Sequence, residues 1–293
     1  MPANRSAHRG QWHGLVEAGR RGLHRKLGVC GHGAPVPSVR GGPAGAGPRV
    51  RRCPVRCGSR DIHMKPTLLL LPGTLCDGRV FQRQCRALRQ VADLRPVDYA
   101  HLDAAGAWLD RLLGALPERF SVAGFSLGGL WALELLRRAP QRIERLALIA
   151  SNARAASIRA RRRSASQWRL WRRQGPAAVA GQAKPVYFHH PAQRRRHGAL
   201  VRQMARATPA QAARAEFRWA ASRPDGLPAL QAHAGSLLLV SGAQDRLCPP
   251  AWQREMVRAR PDARWLELPR VGHFVPFEAP GRLSAALRQW LQT

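Results

Sequence analysis

The chain has 293 residues, 45% of them hydrophobic, enough for one large domain or two smaller ones with a sizeable core. Its formal net charge is +32, carried by 46 arginines and three lysines (Lys26, Lys65, Lys184) against 17 acids, and such a surface attracts anions. No apolar run approaches the ~20 residues a membrane helix needs, the N-terminus lacks the apolar core of a secretory signal, and six cysteines without a C-x-x-C do not make a disulfide scaffold, so a cytoplasmic protein is expected.

Residues 1–63 differ from the rest. Twelve bases face only Glu17 and Asp61, and no helical or alternating period persists beyond a turn. A segment this poor in branched apolar residues cannot offset its ordering entropy, so disorder is expected. It reads as a basic nucleic-acid-binding arm, as an Arg-rich transit segment, or as upstream sequence ahead of a true start at Met64. The last is preferred, because Met64-Lys65-Pro66 leads straight into the first strand. Cys53 and Cys57 with His63 nearby lack a second ligand pair, so no metal is expected.

From Lys65 onward the pattern is regular. Thr67 to Leu71 is wholly apolar and predicts a strand buried on both faces. Pro72-Gly73-Thr74-Leu75-Cys76-Asp77-Gly78 follows, a loop able to turn backbone N–H groups inward. Val80 to Leu88 reads as a helix, Val91 to Val97 as a weak strand, and Ala104 to Leu116 as an amphipathic helix. Ser121 to Phe125 is a strand, Leu130 to Leu136 opens a helix, and Ile143 to Ala150 is another buried strand. The segment 152–228 breaks the rhythm: it holds four helical patches, recurrent aromatics, and the clusters Arg161-Arg162-Arg163 and Arg194-Arg195-Arg196. Ser236 to Val240, Pro250 to Ala259, Ala263 to Leu268 and Glu278 to Leu291 resume the strand–helix alternation. That alternation predicts an α/β fold, a doubly wound, mainly parallel sheet spanning 64–293, with the helices of 152–228 inserted as a cap over the strand ends.

The chain is organised around Gly124-Phe125-Ser126-Leu127-Gly128, a G-x-S-x-G between a strand and a helix. A sharp turn there puts Ser126 in a strained backbone and leaves no room for bulk two residues away on either side. The new helix aims its free N–H groups and positive dipole end at the serine oxygen. A serine hydroxyl needs a base, and the base an orienter. Asp245 follows the strand Ser236–Val240, and His273 follows the last strand, beside Gly272. Ser, Asp and His, each after its own strand and in that order, predict a catalytic triad.

The stretches L-L-L-P-G-T-L-C-D, G-F-S-L-G-G, S-G-A-Q-D-R-L-C-P and V-G-H-F-V-P-F-E-A-P resemble the motif set of the α/β-hydrolase superfamily. The resemblance implies a serine esterase with an acyl-enzyme, a small-molecule ester as substrate, and no cofactor. It implies an oxyanion hole made by the backbone N–H groups of Thr74 and Leu127, with Leu75 as the fallback donor and as a substrate contact. Pro72 stands where the family usually has histidine, a departure shared by relatives with a P-G-x-x-C-D loop. Trp168 and Trp171 read either as the lining of an acyl pocket or, at helical spacing, as core. Short esterases of similar layout act on the methyl ester of an acyl-carrier protein and set lid arginines against that acidic carrier. A similar role falls to Arg161, Arg162, Arg163, Arg169, Arg172 or Arg173. A thioesterase, a lactonase or a cofactor-free perhydrolase shares the fold. A basic nucleic-acid-binding protein, whose affinity would fall steeply with salt, is the less favoured alternative outside it.

Overall fold

A computed structural model describes residues 65–293, side chains at 183–185 excepted. The expectations for 1–63, for a start at Met64 and for the Cys53, Cys57 and His63 group lie outside the described residues.

Six strands form one parallel sheet: β1 (Thr67–Leu71), β2 (Asp93–Pro96), β3 (Phe120–Phe125), β4 (Ile143–Ile149), β5 (Ser236–Gly242) and β6 (Arg264–Leu268), in the order β2-β1-β3-β4-β5-β6. The central strands β1, β3, β4 and β5 are rich in leucine, valine and isoleucine because both faces are covered, whereas the edge strands β2 (Asp-Leu-Arg-Pro) and β6 (Arg-Trp-Leu-Glu-Leu) carry charged residues. Alternate residues supply two separate cores. Leu68, Leu70, Ala123, Phe125, Ile149 and Val240 face α1 (Gln82–Leu88) and α11 (Pro280–Gln292). Leu69, Leu71, Val122, Leu146, Leu148 and Leu239 face α2 (Ala105–Gly114) and α3 (Leu127–Arg138). Around α2 and α3 the second core holds Tyr99, Trp108 and Trp131, packed ring against ring at 5.2–6.5 Å. The doubly wound expectation therefore holds.

The order reverses between β1 and β3. At such a switch point the connections leave in opposite directions and open a crevice at the carboxyl ends of the strands. The chain between β4 and β5 is helical: α4 (Ile158–Gln174), α5 (Pro176–Tyr187), α6 (Pro191–Ala207), α7 (Ala210–Ser222) and α8 (Leu227–Ala232). Pro176, Pro191 and Pro228 sit in the first turns of their helices, where a missing N–H costs nothing. After β5 and the helix α9 (Pro250–Ala259), β6 leads to the short α10 (Val275–Glu278).

Two boundaries differ from the sequence reading. The closing helix expected over Glu278–Leu291 is two pieces, because Pro280 pushes Ala279 out of the helical region, to φ −134° and ψ 51°. The first helix begins as a 3₁₀ turn at Gly78–Phe81, capped by the Asp77 side chain. No helix among the described residues is long and apolar enough to cross a membrane.

Candidate active site

Ser126 occupies the turn between β3 and α3 with φ 53° and ψ −114°, a conformation that costs a non-glycine residue on the order of 1–3 kcal/mol. Neighbouring backbone enforces it. The Ser126 N–H donates to Ile149 O at 2.9 Å, and its carbonyl accepts from Gly129 N–H and from the Ser151 hydroxyl. The flanking glycines allow the close approach: a Cβ on Gly124 would collide with the Gly128 carbonyl, and one on Gly128 with the Leu71 carbonyl. The turn is thereby pressed against the end of β1, and Gly73 lies so near that a Cβ there would sit 3.4 Å from the serine Cβ.

His273 and Asp245 meet this serine. His273 Nε2 lies 2.9 Å from Ser126 Oγ, and His273 Nδ1 lies 2.8 Å from Asp245 Oδ2. The other Asp245 oxygen accepts from the N–H groups of Leu247 and Cys248 at 2.8 and 2.9 Å, which fixes the carboxylate plane. Asp245 and His273 are both 3% exposed. The loops carrying them are laced together, since Gln244 N–H donates to Val271 O and the Gln244 side chain accepts from Val271 N–H. A chain of serine, imidazole and buried carboxylate can pass a proton from the hydroxyl to the ring while the carboxylate holds the tautomer.

Thr74 and Leu127 border the same chamber, about 520 Å³ in volume. Neither backbone N–H has a protein acceptor among the described residues. The N–H of Leu75 does not point there as a spare donor: it donates to Glu216 Oε2 at 2.7 Å. Leu75, Trp168 and Trp171 are not on the chamber wall. Leu75 and Trp171 are buried in the core, and Trp168 packs against it, with Phe217 6.5 Å from both tryptophan rings. Helical spacing in α4 turns these rings toward α7, so the core alternative describes their placement.

The insertion reaches the site through residues the sequence reading missed. Tyr187, at the end of α5, borders the chamber, and its carbonyl accepts from His273 N–H at 2.9 Å and Phe274 N–H at 3.1 Å. Glu278 Oε1 accepts from Gly272 N–H, and Oε2 from His189 N–H, both at 2.9 Å, tying the His273 loop to the insertion. Burial holds the Glu278 carboxyl above its usual range, against the opposing pull of those N–H bonds. Arginines line the rim: Arg159 and Arg163 from α4, Arg246 beside Asp245, and Arg154, which pairs with Glu255 at 2.6 Å. Cys248 also lines the chamber, and burial pushes its thiol far above the usual range. Its sulfur belongs with Asp245 and His273 to the one group of three or more His, Cys, Asp or Glu side chains among the described residues whose potential metal-ligand atoms lie within 4.8 Å of one another.

This strand order and this turn define a class, and comparison agrees. The Alpha/beta hydrolase family profile matches residues 67–286, three quarters of the sequence, and the chain belongs to that family. Among curated proteins, a pimeloyl-[acyl-carrier protein] methyl ester esterase of Aromatoleum aromaticum is 52% identical over 46 residues, 16% of this chain and 18% of that protein. One from Nitrosomonas europaea is 33% identical over 104 residues, 31% of this chain and 41% of that protein. The matches thus span less than half the length of these relatives. A thermophilic esterase from Thermogutta terrifontis superposes with a TM-score of 0.70 at 26% identity, covering 78% of this chain and 91% of that one. The enol-lactonase of Burkholderia xenovorans, at 22% identity and TM-score 0.70, covers 78% and 92% and shares the fold.

Proposed function

We propose that this protein is a serine hydrolase that cleaves a carboxylic ester through an acyl-enzyme. The observation that carries this is the unbroken relay Ser126 Oγ, His273, Asp245, with contacts of 2.9 and 2.8 Å. His273 takes the hydroxyl proton as Ser126 attacks the ester carbonyl, and Asp245 stabilises the imidazolium that forms. The tetrahedral oxyanion is met by the N–H groups of Leu127 and Thr74, the first aided by the positive end of α3. His273 returns its proton to the leaving alcohol. Water, deprotonated by His273, then attacks the acyl-serine, and His273 hands that proton to Ser126 Oγ as the acyl–oxygen bond breaks and the acid leaves. The helices of 152–228 act as a cap that walls the chamber.

The chamber volume suits a small or medium substrate. An ester presented by an acidic acyl-carrier protein is the finer reading. It is supported by the names of the two curated relatives and by the exposed Arg159, Arg161, Arg162 and Arg163 along α4. The test of the reaction class is a fluorophosphonate probe. Wild type is expected to be labelled covalently and Ser126→Ala is not; an unlabelled wild type overturns the reading. A series of p-nitrophenyl esters of rising chain length then sizes the acyl site.

A further inference from the structure

Glu216 is fully buried, 0% exposed, on α7 of the insertion. Its Oε2 accepts the Leu75 N–H at 2.7 Å, a bond that joins residues 141 apart in sequence. Oε1 is buried and has no hydrogen-bond partner among the described residues. The sole interaction opposing desolvation is the Leu75 bond, and burial pushes the carboxyl up to about 8. Its charge would reach Cys76 and Tyr99, and both are already raised well above their ordinary values, chiefly by burial.

The bond lands at a sensitive point. Gly73 to Cys76 form a turn closed by Cys76 N–H to Gly73 O at 3.0 Å. Leu75, third in that turn, has φ 55°, the left-handed conformation that normally calls for glycine or asparagine. A leucine stays there only if its surroundings over-determine it. The Glu216 bond supplies that constraint, aided by burial of the leucine side chain, which is 5% exposed. Thr74 is second in the turn: its N–H belongs to the Gly73–Thr74 peptide, which meets the Thr74–Leu75 peptide held by Glu216 at the Thr74 Cα, so fixing one plane of this tight turn restricts the other. Tyr99 helps from the other side by donating its hydroxyl to Pro72 O at 2.9 Å.

We infer that Glu216 is a positioning residue: from the insertion it locks the strained Leu75 peptide and thereby aims the Thr74 N–H at the oxyanion. This rests on the hydrolase reading above and deepens it, because it makes the cap part of the catalytic geometry. Glu216 does not touch substrate; it acts through the loop after β1.

The experiment compares Glu216→Gln, which keeps an acceptor of the same reach, with Glu216→Leu, which fills the space and accepts nothing. Steady-state kinetics on p-nitrophenyl butyrate, thermal melting and fluorophosphonate labelling are measured on the full chain. Losing a whole oxyanion donor costs ~10²–10³ in kcat, so a misdirected one is expected to cost about 10–100-fold. Glu216→Leu shows that loss in kcat with KM held within about threefold, and Glu216→Gln restores kcat to within about threefold. Full kcat in a folded Glu216→Leu overturns the inference, as does an equal loss in both variants. Should Glu216→Leu fail to fold, Glu216→Asp draws the carboxyl back by one carbon, and the same kcat loss at constant KM is expected; unchanged kcat overturns it. Labelling separates the two readings. A wild type unlabelled at Ser126 defeats the hydrolase itself, whereas normal labelling with an unaffected Glu216→Leu defeats only the role of Glu216.

Discussion

The sheet with its edge loops and the helical insertion between β4 and β5 are built from different material. The sheet places Ser126, Asp245 and His273 by backbone: apolar strands buried on both faces, and glycines where main chains touch. The insertion has no strand, is studded with exposed arginines, and reaches the site by a handful of long-range bonds from Tyr187, Glu216 and the chain accepted by Glu278. Chemistry anchored in the sheet tolerates variation around it. Alignment borrowed from the insertion is adjustable, and substitutions there are expected to tune the rate more than abolish it.

The largest effects test the sheet side. Ser126→Ala is expected to lower kcat by ~10⁶ and Asp245→Asn by ~10⁴ with melting temperatures nearly unchanged, as steady-state assays and calorimetry would report. If either keeps more than a tenth of the activity, the sheet does not hold the chemistry. Gly128→Ala is expected to destabilise by about 1–3 kcal/mol or more, read from denaturant melts, because its Cβ meets the Leu71 carbonyl.

The next effects test the insertion. Glu278→Ala leaves the Gly272 and His189 N–H groups without their acceptor and is expected to cost about 1–3 kcal/mol together with a drop in kcat. For Glu216 the pH dependence is diagnostic. Burial raises it from the ordinary 4.5 of a glutamate to about 8, so its contribution to stability is complete below pH 4.5 and is lost as pH rises to about 8. Relative to Glu216→Gln, wild type should therefore melt progressively lower between pH 4.5 and 8; parallel curves would remove the buried carboxyl from the account. The smallest effect concerns the rim. Arg163→Gln is expected to raise KM a few-fold for an anionic ester at low salt and leave a neutral ester unchanged, since exposed charges act weakly and are screened.

The two regions also differed in how much the sequence disclosed. Strands β1, β3 and β5 have largely apolar centres and β4 an apolar second half, so the fold could be read from local pattern, and Ser126, Asp245 and His273 were singled out because each follows a strand of its own. Glu216 could not, because its partner is 141 residues away. Its signal was nonetheless present. Only Glu216 and Asp225 are acidic between residues 151 and 228, and Glu216 sits on the apolar stripe of Ala212, Ala213 and Phe217. An acid on an apolar face is a buried acid with a task. The Leu75 fallback failed for the same reason, since nothing local shows that its N–H is already engaged. Trp168 and Trp171 were legible as helix-face residues, but which neighbour the face met was decided by α7.

The carbonyl of Tyr187 receives two amide hydrogens from the segment that carries the imidazole. A rigid swing of the overlying helices would therefore tear the proton acceptor out of register at the moment of opening. Slow deuterium uptake at His273 and Phe274 during turnover would be the signature of helices that stay in place.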